Sequence, residues 1–243
     1  MAEQGKPLGT LKTAPIQLQT IKVVAIGGNQ LDPQDKEVIC KAICYCNVNP
    51  NKGKKGNRNQ YQSCVSERLK ELDRFLGHRS PYKPEVNYDM HKNPPEPIMD
   101  KGILTKAHDY LPGWIKKYWE KDKGYPYEAG EGMVRRPDVV IVKDPTKPPT
   151  QDNIKHVVEI KFGTDDFGRT QKEEYAKIAG NRHKVKQLDA NECDCGNEKD
   201  DNASEVSTAG AWAVAIAGTL LYFISRGKTP RPRFPLPKPA PAW

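Results

Sequence analysis

The chain has 243 residues, with 39 Lys and Arg against 31 Asp and Glu, for a formal net charge of +8. This length allows one large domain, or a catalytic domain with an accessory region, and the basic balance favours polyanionic partners. Residues 1–15 contain no apolar run long enough for a signal peptide, so export by the ordinary secretory route is not expected.

Two helices are predicted in the first third of the chain. Asp32 followed by Pro33 is typical of a helix start, and the apolar residues after them share one face. A second amphipathic helix follows a basic, Gly- and Asn-rich loop at 47–60. Prolines are dense over 78–102 and disfavour regular structure, so we place a soft domain border near residue 100.

A third amphipathic helix is predicted to start between Asp109 and Pro112. Its aromatic residues share one side, and its lysines face elsewhere. Packing of the rings in a core is the preferred interpretation, and stacking against nucleic-acid bases is the alternative. The aromatic residues are Trp114, Tyr118 and Trp119, and the lysines are Lys116, Lys117 and Lys121.

A β-hairpin is predicted over 134–162, where two apolar runs flank a proline-rich loop. Because side chains alternate between the faces of a strand, one face should be apolar and the other should carry charged groups. The predicted antiparallel register pairs Asp138 with Glu159, Val140 with Val157, and Val142 with Lys155. The predicted core face holds Val139, Ile141, Val158, Ile160 and Phe162.

This register brings two carboxylates together. The Cβ atoms of Asp138 and Glu159 would lie about 5 Å apart. Carboxylates at that distance repel each other unless a divalent cation or a shared proton offsets the charge. Mg²⁺ takes oxygen ligands, commonly one or two carboxylates with water and phosphate. Lys161 lies about 7 Å further along the same face, where it can reach an attacking water or a phosphate.

The residues around the hairpin resemble the PD-(D/E)xK nuclease superfamily. The Pro-Asp pair at 137–138 and the Glu-Ile-Lys triplet at 159–161 match its central motif. The Val-Arg-Arg triplet at 134–136 resembles the VRR-NUC branch. Gln171 followed by Tyr175 resembles the QxxxY element carried by the next helix in several branches.

The resemblance covers 131–188 and implies an α/β fold, a mixed sheet flanked by helices in the order α-β-β-β-α-β. We expect the third helix to be the first of these elements and 125–133 to be the first strand. The hairpin then supplies two strands, 171–179 the second helix, and 183–188 the last strand. Gly180 is expected to end the second helix.

A metal-dependent catalytic site is also implied by the resemblance. Asp138, Glu159 and the Ile160 carbonyl would bind Mg²⁺ or Mn²⁺, which polarises the scissile phosphate and lowers the pKa of a bound water. Lys161 would orient or deprotonate that water. Gln171 would position the water or a phosphate.

Several further residues have secondary roles by the same resemblance. Arg135 and Arg136 would contact the DNA backbone, although one of them can instead serve as an ion-pair partner within the fold. Tyr175 would pack in the fold, and Glu120 or Glu131 would be an additional acidic ligand.

The six cysteines leave three alternatives open. A disulfide from Cys64 to one of the earlier three, free thiols, and a zinc site are all compatible with their positions. Their spacing matches no common zinc finger. The first group is Cys40, Cys44, Cys46 and Cys64, and the second is Cys193 and Cys195.

The chain end is unusual because 209–225 contains no charged residue and is followed by basic residues. This length is at the lower limit for a bilayer span, and a buried helix is the equal alternative. Five regions are predicted in all: a helical, Pro-rich accessory region at 1–100, a nuclease domain at 101–190, an acidic linker at 191–207, an apolar helix at 208–226 and a Pro-rich tail at 227–243.

The VRR-NUC resemblance also implies a biological setting. Such domains occur in repair and phage nucleases, and in antibacterial effectors that type VI secretion delivers and a cognate immunity protein neutralises. The cysteine-bearing region and the apolar, Pro-rich tail favour the effector, a DNase toxin that stays in the producer's cytoplasm until spike or adaptor components carry it into the target cytoplasm. The alternatives are an intracellular repair or phage nuclease, a DNA-binding module with a spent site, and a membrane-perturbing toxin acting through 209–225.

Overall fold

The structure, a computed structural model, describes residues 30–53, 58–163 and 168–195. Helices α1 (Pro33–Val48) and α2 (Tyr61–Phe75) come first, with a short strand pair between them, β1 (Asn51–Lys52) and β2 (Asn59–Gln60). Asp32 is the N-cap of α1 and Pro33 its first residue. Both predicted N-terminal helices are therefore confirmed.

Short strands occupy the proline-rich segment, for which the composition predicted no regular structure. They are β3 (Tyr82–Pro84), β4 (Tyr88–Asp89) and β5 (Glu96–Pro97). The next part of the chain is helical and then returns to extended backbone: α3 (Leu111–Trp114), a π-helical turn (Ile115–Trp119), α4 (Glu120–Lys123) and β6 (Val134–Arg135). Trp114 and Trp119 are buried against Ile98 and Met133, which confirms the core-packing interpretation.

The last described elements are β7 (Val139–Val142), β8 (Ile154–Lys161), α5 (Arg169–Ala179) and β9 (Val185–Asp189). The central sheet has four strands in the order β3-β7-β8-β9. β7 is antiparallel to β3 and β8, and β9 is parallel to β8. A parallel neighbour requires a crossover, which α5 supplies before Gly180 ends it in a left-handed conformation, φ 71°. The chain is therefore a mixed α/β protein.

The hairpin register agrees with the prediction from the Asp138 end of the strands as far as Ile141, and departs from it towards the loop. The pairs are Val139 with Val158, Val140 with Val157, Ile141 with His156 and Val142 with Ile154. Extended by one residue, this register sets Asp138 opposite Glu159. A bulge after Ile141 leaves Lys155 outside the ladder, so the predicted pairing of Val142 with Lys155 is wrong.

Both faces of the hairpin are buried, whereas the sequence predicted one core face and one charged face. The face of Val139 and Val158 packs on α1 and α2. The face of Val140 and Val157 packs on α5. A sheet covered by helices on both sides needs apolar residues along the whole of its strands, so the charged side chains are confined to the strand ends.

Two elements of the predicted order are wrong. Residues 125–133 form no strand, because the segment contains Pro126 and two glycines, Gly130 and Gly132, with positive φ. The first strand of the sheet is β3 instead, and the helix that precedes it and packs on the sheet is α2. Between β3 and β7 the chain forms β4, β5, α3, the π-helical turn, α4 and β6, and it then continues through β8 and α5 to β9.

The predicted border near residue 100 crosses a shared core. Apolar residues of α1 and α2 lie in one cluster with those of β7, β8 and β9. Residues 30–53 and 58–84 are thus part of the body that holds the sheet and do not form an accessory region.

Three disulfides tie this body together: Cys40–Cys193, Cys44–Cys195 and Cys46–Cys64. All six cysteines lie in the described residues and none is free, so the disulfide alternative for Cys64 holds over free thiols and zinc. Cys193 and Cys195 lie in the predicted acidic linker. Because both are bonded to α1, residues 191–195 belong to the folded body.

The predicted apolar segment at 209–225, the Pro-rich tail and the linker beyond residue 195 lie outside the described residues. Across residues 30–53, 58–163 and 168–195, no helix has the length and apolar character that a bilayer crossing requires.

The disulfides lead to a stability prediction. Replacing Cys40 and Cys193 by alanine should lower the free energy of unfolding by about 2–4 kcal/mol, because the cross-link restricts the unfolded chain. The Cys44–Cys195 bond closes nearly the same loop, with separations of 151 and 153 residues for the two bonds. Each single removal leaves the other bond closing that loop, so removing both pairs should cost more than the sum of the two single removals, as measured by urea denaturation. Fully additive losses would contradict a shared loop closed by two overlapping bonds.

Candidate functional site

The predicted acidic pair lies at the ends of the two inner strands of the central sheet, β7 and β8. The edge of the sheet formed by these strand ends is the site edge. Asp138 directly precedes β7, and Glu159 and Lys161 lie at the end of β8, which is the same edge because the two strands are antiparallel. Asp138 Oδ2 accepts a hydrogen bond from the Ile160 backbone N–H at 2.8 Å. Glu159 is 4% exposed and Lys161 8% exposed, so the motif is buried rather than a solvated sheet face.

Glu159 is the centre of a polar network. Its Oε1 accepts hydrogen bonds from Lys161 Nζ and from Gln171 Nε2, both at 2.9 Å. Gln171 Nε2 also donates to the Tyr175 hydroxyl at 3.0 Å, and that hydroxyl donates to the Arg136 carbonyl at 3.1 Å. α5 therefore brings Gln171 and Tyr175 to the hairpin.

The second oxygen of Glu159 is left without a partner. Glu159 Oε2 is buried and accepts no hydrogen bond from the described residues. A buried carboxylate oxygen with no partner carries a desolvation cost, which a bound cation would offset. The residues at this edge of the sheet therefore fit a hard divalent cation, with Asp138, Glu159 and the Ile160 carbonyl as its oxygen donors.

The acidic pair also shifts the ionisation of Asp138. Burial raises the pKa of Asp138 to about 7, and the negative charge of Glu159 adds to the effect. The Ile160 N–H and Lys161 act in the opposite direction and offset only part of it. Near neutral pH, without a cation, the two carboxyl groups thus resist carrying two negative charges.

The two arginines of the Val-Arg-Arg triplet have different environments. Arg135 forms an ion pair with Glu174 of α5, with Nη2 2.7 Å from Oε1 and Nε bonded to the other oxygen. Arg136 has a 56% exposed side chain, and its Nη2 lies 3.7 Å from Glu85 Oε1. Arg135 therefore fastens α5 to the strand, and Arg136 faces solvent.

Glu85 is a site residue that the sequence did not indicate. It follows β3, and its backbone N–H donates to the Asp138 carbonyl at 3.0 Å. Its charge is one of the causes that raise the pKa of Asp138. The predicted additional acids lie elsewhere, Glu120 in α4 and Glu131 in the turn before β6. Both are exposed, and neither has a hydrogen bond or ion pair to Asp138 or Glu159 in the described chain.

Gln62 was also missed. From the first turn of α2, its Nε2 donates to the Ile160 carbonyl at 3.1 Å. A carbonyl oxygen has two lone pairs, so one remains for a cation. Gln62 thus fixes the direction of the carbonyl that the sequence proposed as a metal ligand. No local pattern distinguishes it from other polar residues of α2, because the contact depends on how α2 packs.

A different acidic group lies near the other end of β8. Asp32, Asp35 and His156 place one potential ligand atom each within 4.8 Å of the others. The ammonium of Lys155 lies 2.6 Å from Asp32 and 2.8 Å from Asp35. Because Lys155 already offsets these carboxylates, the cluster is accounted for as an internal ion-pair group.

Searches of protein-family models, curated proteins and solved structures returned no match for this chain.

The raised pKa of Asp138 predicts a stability effect that can be measured. A group whose folded-state pKa is about 7 and whose ordinary value is 3.8 loses stabilising free energy as the pH rises from about 4 to 7. Asp138→Asn removes the charge and keeps an oxygen for the Ile160 N–H. The melting temperature of the metal-free variant should exceed that of the wild type at pH 8, with a smaller difference at pH 4.

The control for this experiment is Asp144→Asn. Hydrogen bonds from Thr146 lower the pKa of Asp144 to about 2, so this variant should gain no stability as the pH rises.

Mg²⁺ should raise the melting temperature of the wild type at pH 8 and leave that of Asp138→Asn unchanged. Equal behaviour of the two variants would exclude a charged, cation-binding pair at this edge.

Proposed function

We propose that this chain is a divalent-metal-dependent nuclease that hydrolyses phosphodiester bonds in DNA. The observation that carries the proposal is the buried pair Asp138 and Glu159, with an unpartnered Glu159 oxygen and the Lys161 ammonium beside it. A structural ion pair would leave no such oxygen, and a solvated sheet face would not be buried. The arrangement suits a cation and a phosphate.

The order of the elements supports the same reaction class. The resemblance to PD-(D/E)xK nucleases implies a mixed sheet flanked by helices in the order α-β-β-β-α-β. With the elements between β3 and β7 set apart, α2, β3, β7, β8, α5 and β9 follow this order in a mixed sheet, in which β9 is parallel to β8. Asp138 directly precedes β7 and Glu159 lies in β8, so the acidic pair is at the adjoining ends of these two strands.

The chain would hold Mg²⁺ or Mn²⁺ through Asp138, Glu159 and the Ile160 carbonyl. When bound, such an ion polarises the scissile phosphate and lowers the pKa of a water ligand. Gln62 keeps the carbonyl directed, and the Ile160 N–H keeps Asp138 in place.

Lys161 is the group that would act on the attacking water. Its Nζ is fixed by Glu159, so it can orient the water and stabilise negative charge that develops on the phosphate oxygens. Gln171 was predicted to position the water or a phosphate, and we propose that it acts through Glu159. Its Nε2 is shared by Glu159 and the Tyr175 hydroxyl, so it positions the carboxylate rather than the water.

DNA is the proposed substrate because the chain is basic and Arg136 is exposed beside the site. The phosphate backbone supplies most of the affinity of such an interface, while sequence readout needs contacts to base edges.

The biological setting that we propose is that of an exported antibacterial toxin. Three disulfides favour a protein that meets an oxidising compartment and disfavour an intracellular repair or phage enzyme. Delivery by type VI secretion with spike or adaptor components, and a cognate immunity protein in the producer, belong to this proposal. Membrane contact through 209–225 belongs to it as well.

Cleavage of plasmid DNA tests the proposed function. With Mg²⁺, the wild type should nick and then degrade the plasmid, and chelation should stop the reaction. Asp138→Ala should abolish cleavage, and Lys161→Ala should lower the rate about 100- to 1000-fold, because each removes a group that acts on the water or the developing charge.

The matched controls are Asp144→Ala and Lys147→Ala, an exposed acid and lysine that pair with each other in the loop at the opposite end of the hairpin. Both should keep full activity. Cleavage by the two site variants at the wild-type rate would remove the assigned site. DNA binding with no turnover by the wild type would instead favour a binding module.

Substituting the two arginines should affect different properties, stability for Arg135 and DNA affinity for Arg136. Arg135→Ala leaves the partly buried Glu174 without its partner and should lower the free energy of unfolding by about 1–3 kcal/mol. Arg136→Ala should leave stability nearly unchanged, weaken DNA binding several-fold, and flatten the dependence of log affinity on log salt by about one unit. Thermal melting and fluorescence anisotropy measure the two effects. The assignment is wrong if the variants exchange these phenotypes.

A further inference from the structure

One carboxylate beside the proposed site is held by two cations. Glu85 forms an ion pair with Lys70 of α2 through Oε2, and its Oε1 lies 3.7 Å from Arg136 Nη2. The side chains of Lys70 and Arg136 are 48% and 56% exposed, and that of Glu85 is 25% exposed. The carboxylate is therefore more enclosed than the two cations, which face solvent.

The position of Glu85 ties this group to the acidic pair. Glu85 directly follows β3, at the edge of the sheet where β7 begins, and its N–H is bonded to the Asp138 carbonyl. Its backbone has a left-handed φ of 51°, which is uncommon outside glycine. The fold therefore holds this carboxylate, Lys70 and Arg136 next to the residues that would carry out cleavage.

Glu85 is charged in this environment. Burial alone would raise the pKa of Glu85, but its hydrogen bond and ion pair with Lys70 and the charge of Arg136 hold that pKa below its ordinary value. The group of three thus has one negative and two positive charges near neutral pH.

Glu85 is not placed to share a single ion with Asp138 and Glu159. Among the described residues, three potential ligands come within 4.8 Å of one another at Asp32, Asp35 and His156. That group lies near the start of β8, at the other end of the strand from this site. The contacts of Glu85 are instead with cations. Carboxylates and phosphates compete for the same partners, since both accept hydrogen bonds from ammonium and guanidinium groups.

We propose that Glu85 occupies the place of a DNA backbone phosphate, holding Lys70 and Arg136 beside the site until a phosphate next to the scissile bond replaces it. The inference rests on the proposed function for the identity of the polyanion and the scissile bond. The two cations form a phosphate subsite, and Glu85 limits its affinity, because binding must separate both cations from the carboxylate and bring a phosphate towards a negative charge.

The test compares DNA binding by Glu85→Gln and the wild type in EDTA, where no metal-dependent cleavage occurs. The probe is a short fluorescein-labelled DNA duplex, and the readout is anisotropy over a series of salt concentrations. Exposed ion pairs are each worth a factor of about 2 to 5. Releasing two should tighten binding about tenfold and steepen the log–log salt dependence by about one to two units.

Two further arms assign the effect to the subsite. In the Lys70→Met, Arg136→Met background, Glu85→Gln should produce less than a twofold gain, because the released cations are absent. Glu37→Gln is the matched control, since Glu37 pairs with Lys41 at 2.9 Å in α1, away from the site. Its effect on affinity should stay below twofold. Melting curves verify that each variant is folded.

Three outcomes overturn the proposal. They are equal or weaker DNA binding by folded Glu85→Gln, an undiminished gain in the double-methionine background, and an equal gain in Glu37→Gln. Weaker binding would mean that Glu85 holds the cations in their binding positions. A wild type that binds DNA as expected here but fails to cleave it with Mg²⁺ would remove the proposed function and leave the subsite standing.

Discussion

The repulsion between two carboxylates at one edge of the sheet is the constraint on which the rest of the site depends. Asp138 and Glu159 are held there by the hairpin register, and burial denies them water that would screen their charges. Such a pair persists only if other groups offset the charge. Lys161, Gln171 and the Ile160 N–H each do part of this, and one Glu159 oxygen has no hydrogen-bond partner among the described residues.

The surrounding fold is built to keep that edge rigid. Helices cover both faces of the hairpin, so its strands have little freedom to move apart. α2 reaches the Ile160 carbonyl through Gln62, and α5 reaches Glu159 through Gln171. The Arg135–Glu174 ion pair fixes α5 to the strand that leads into Asp138. Asp138, Glu159 and the Ile160 carbonyl, the groups that would touch a cation, are therefore each held by a residue from another element.

The disulfides also join separate elements, across the whole described body. Two of them join α1 to the segment after β9, and the third joins α1 to α2, which carries Gln62 and Lys70. The cross-links therefore hold the helical layer against the last strand of the sheet. This layer contributes residues to the site, so stability and the proposed chemistry depend on the same packing.

The sequence by itself determined the local features of this protein. Periodicity and end signals located α1 and α2, the family resemblance with Gly180 indicated α5, and the alternation of side chains along the hairpin set Asp138 opposite Glu159. Gln171 and Tyr175 were found by their place in a motif. All of these depend on interactions between residues near in sequence, or on strands joined by one loop.

Only the tertiary structure decided the remaining features. Glu85 and Gln62 reach the site from β3 and α2, more than 50 residues before Asp138, and their roles follow from packing that no local pattern encodes. Proline density concealed β3, because a strand needs a partner to form and its partner β7 lies far along the chain. The pairing of Cys193 and Cys195 with α1 was likewise invisible, since disulfide connectivity depends on which residues the fold brings together.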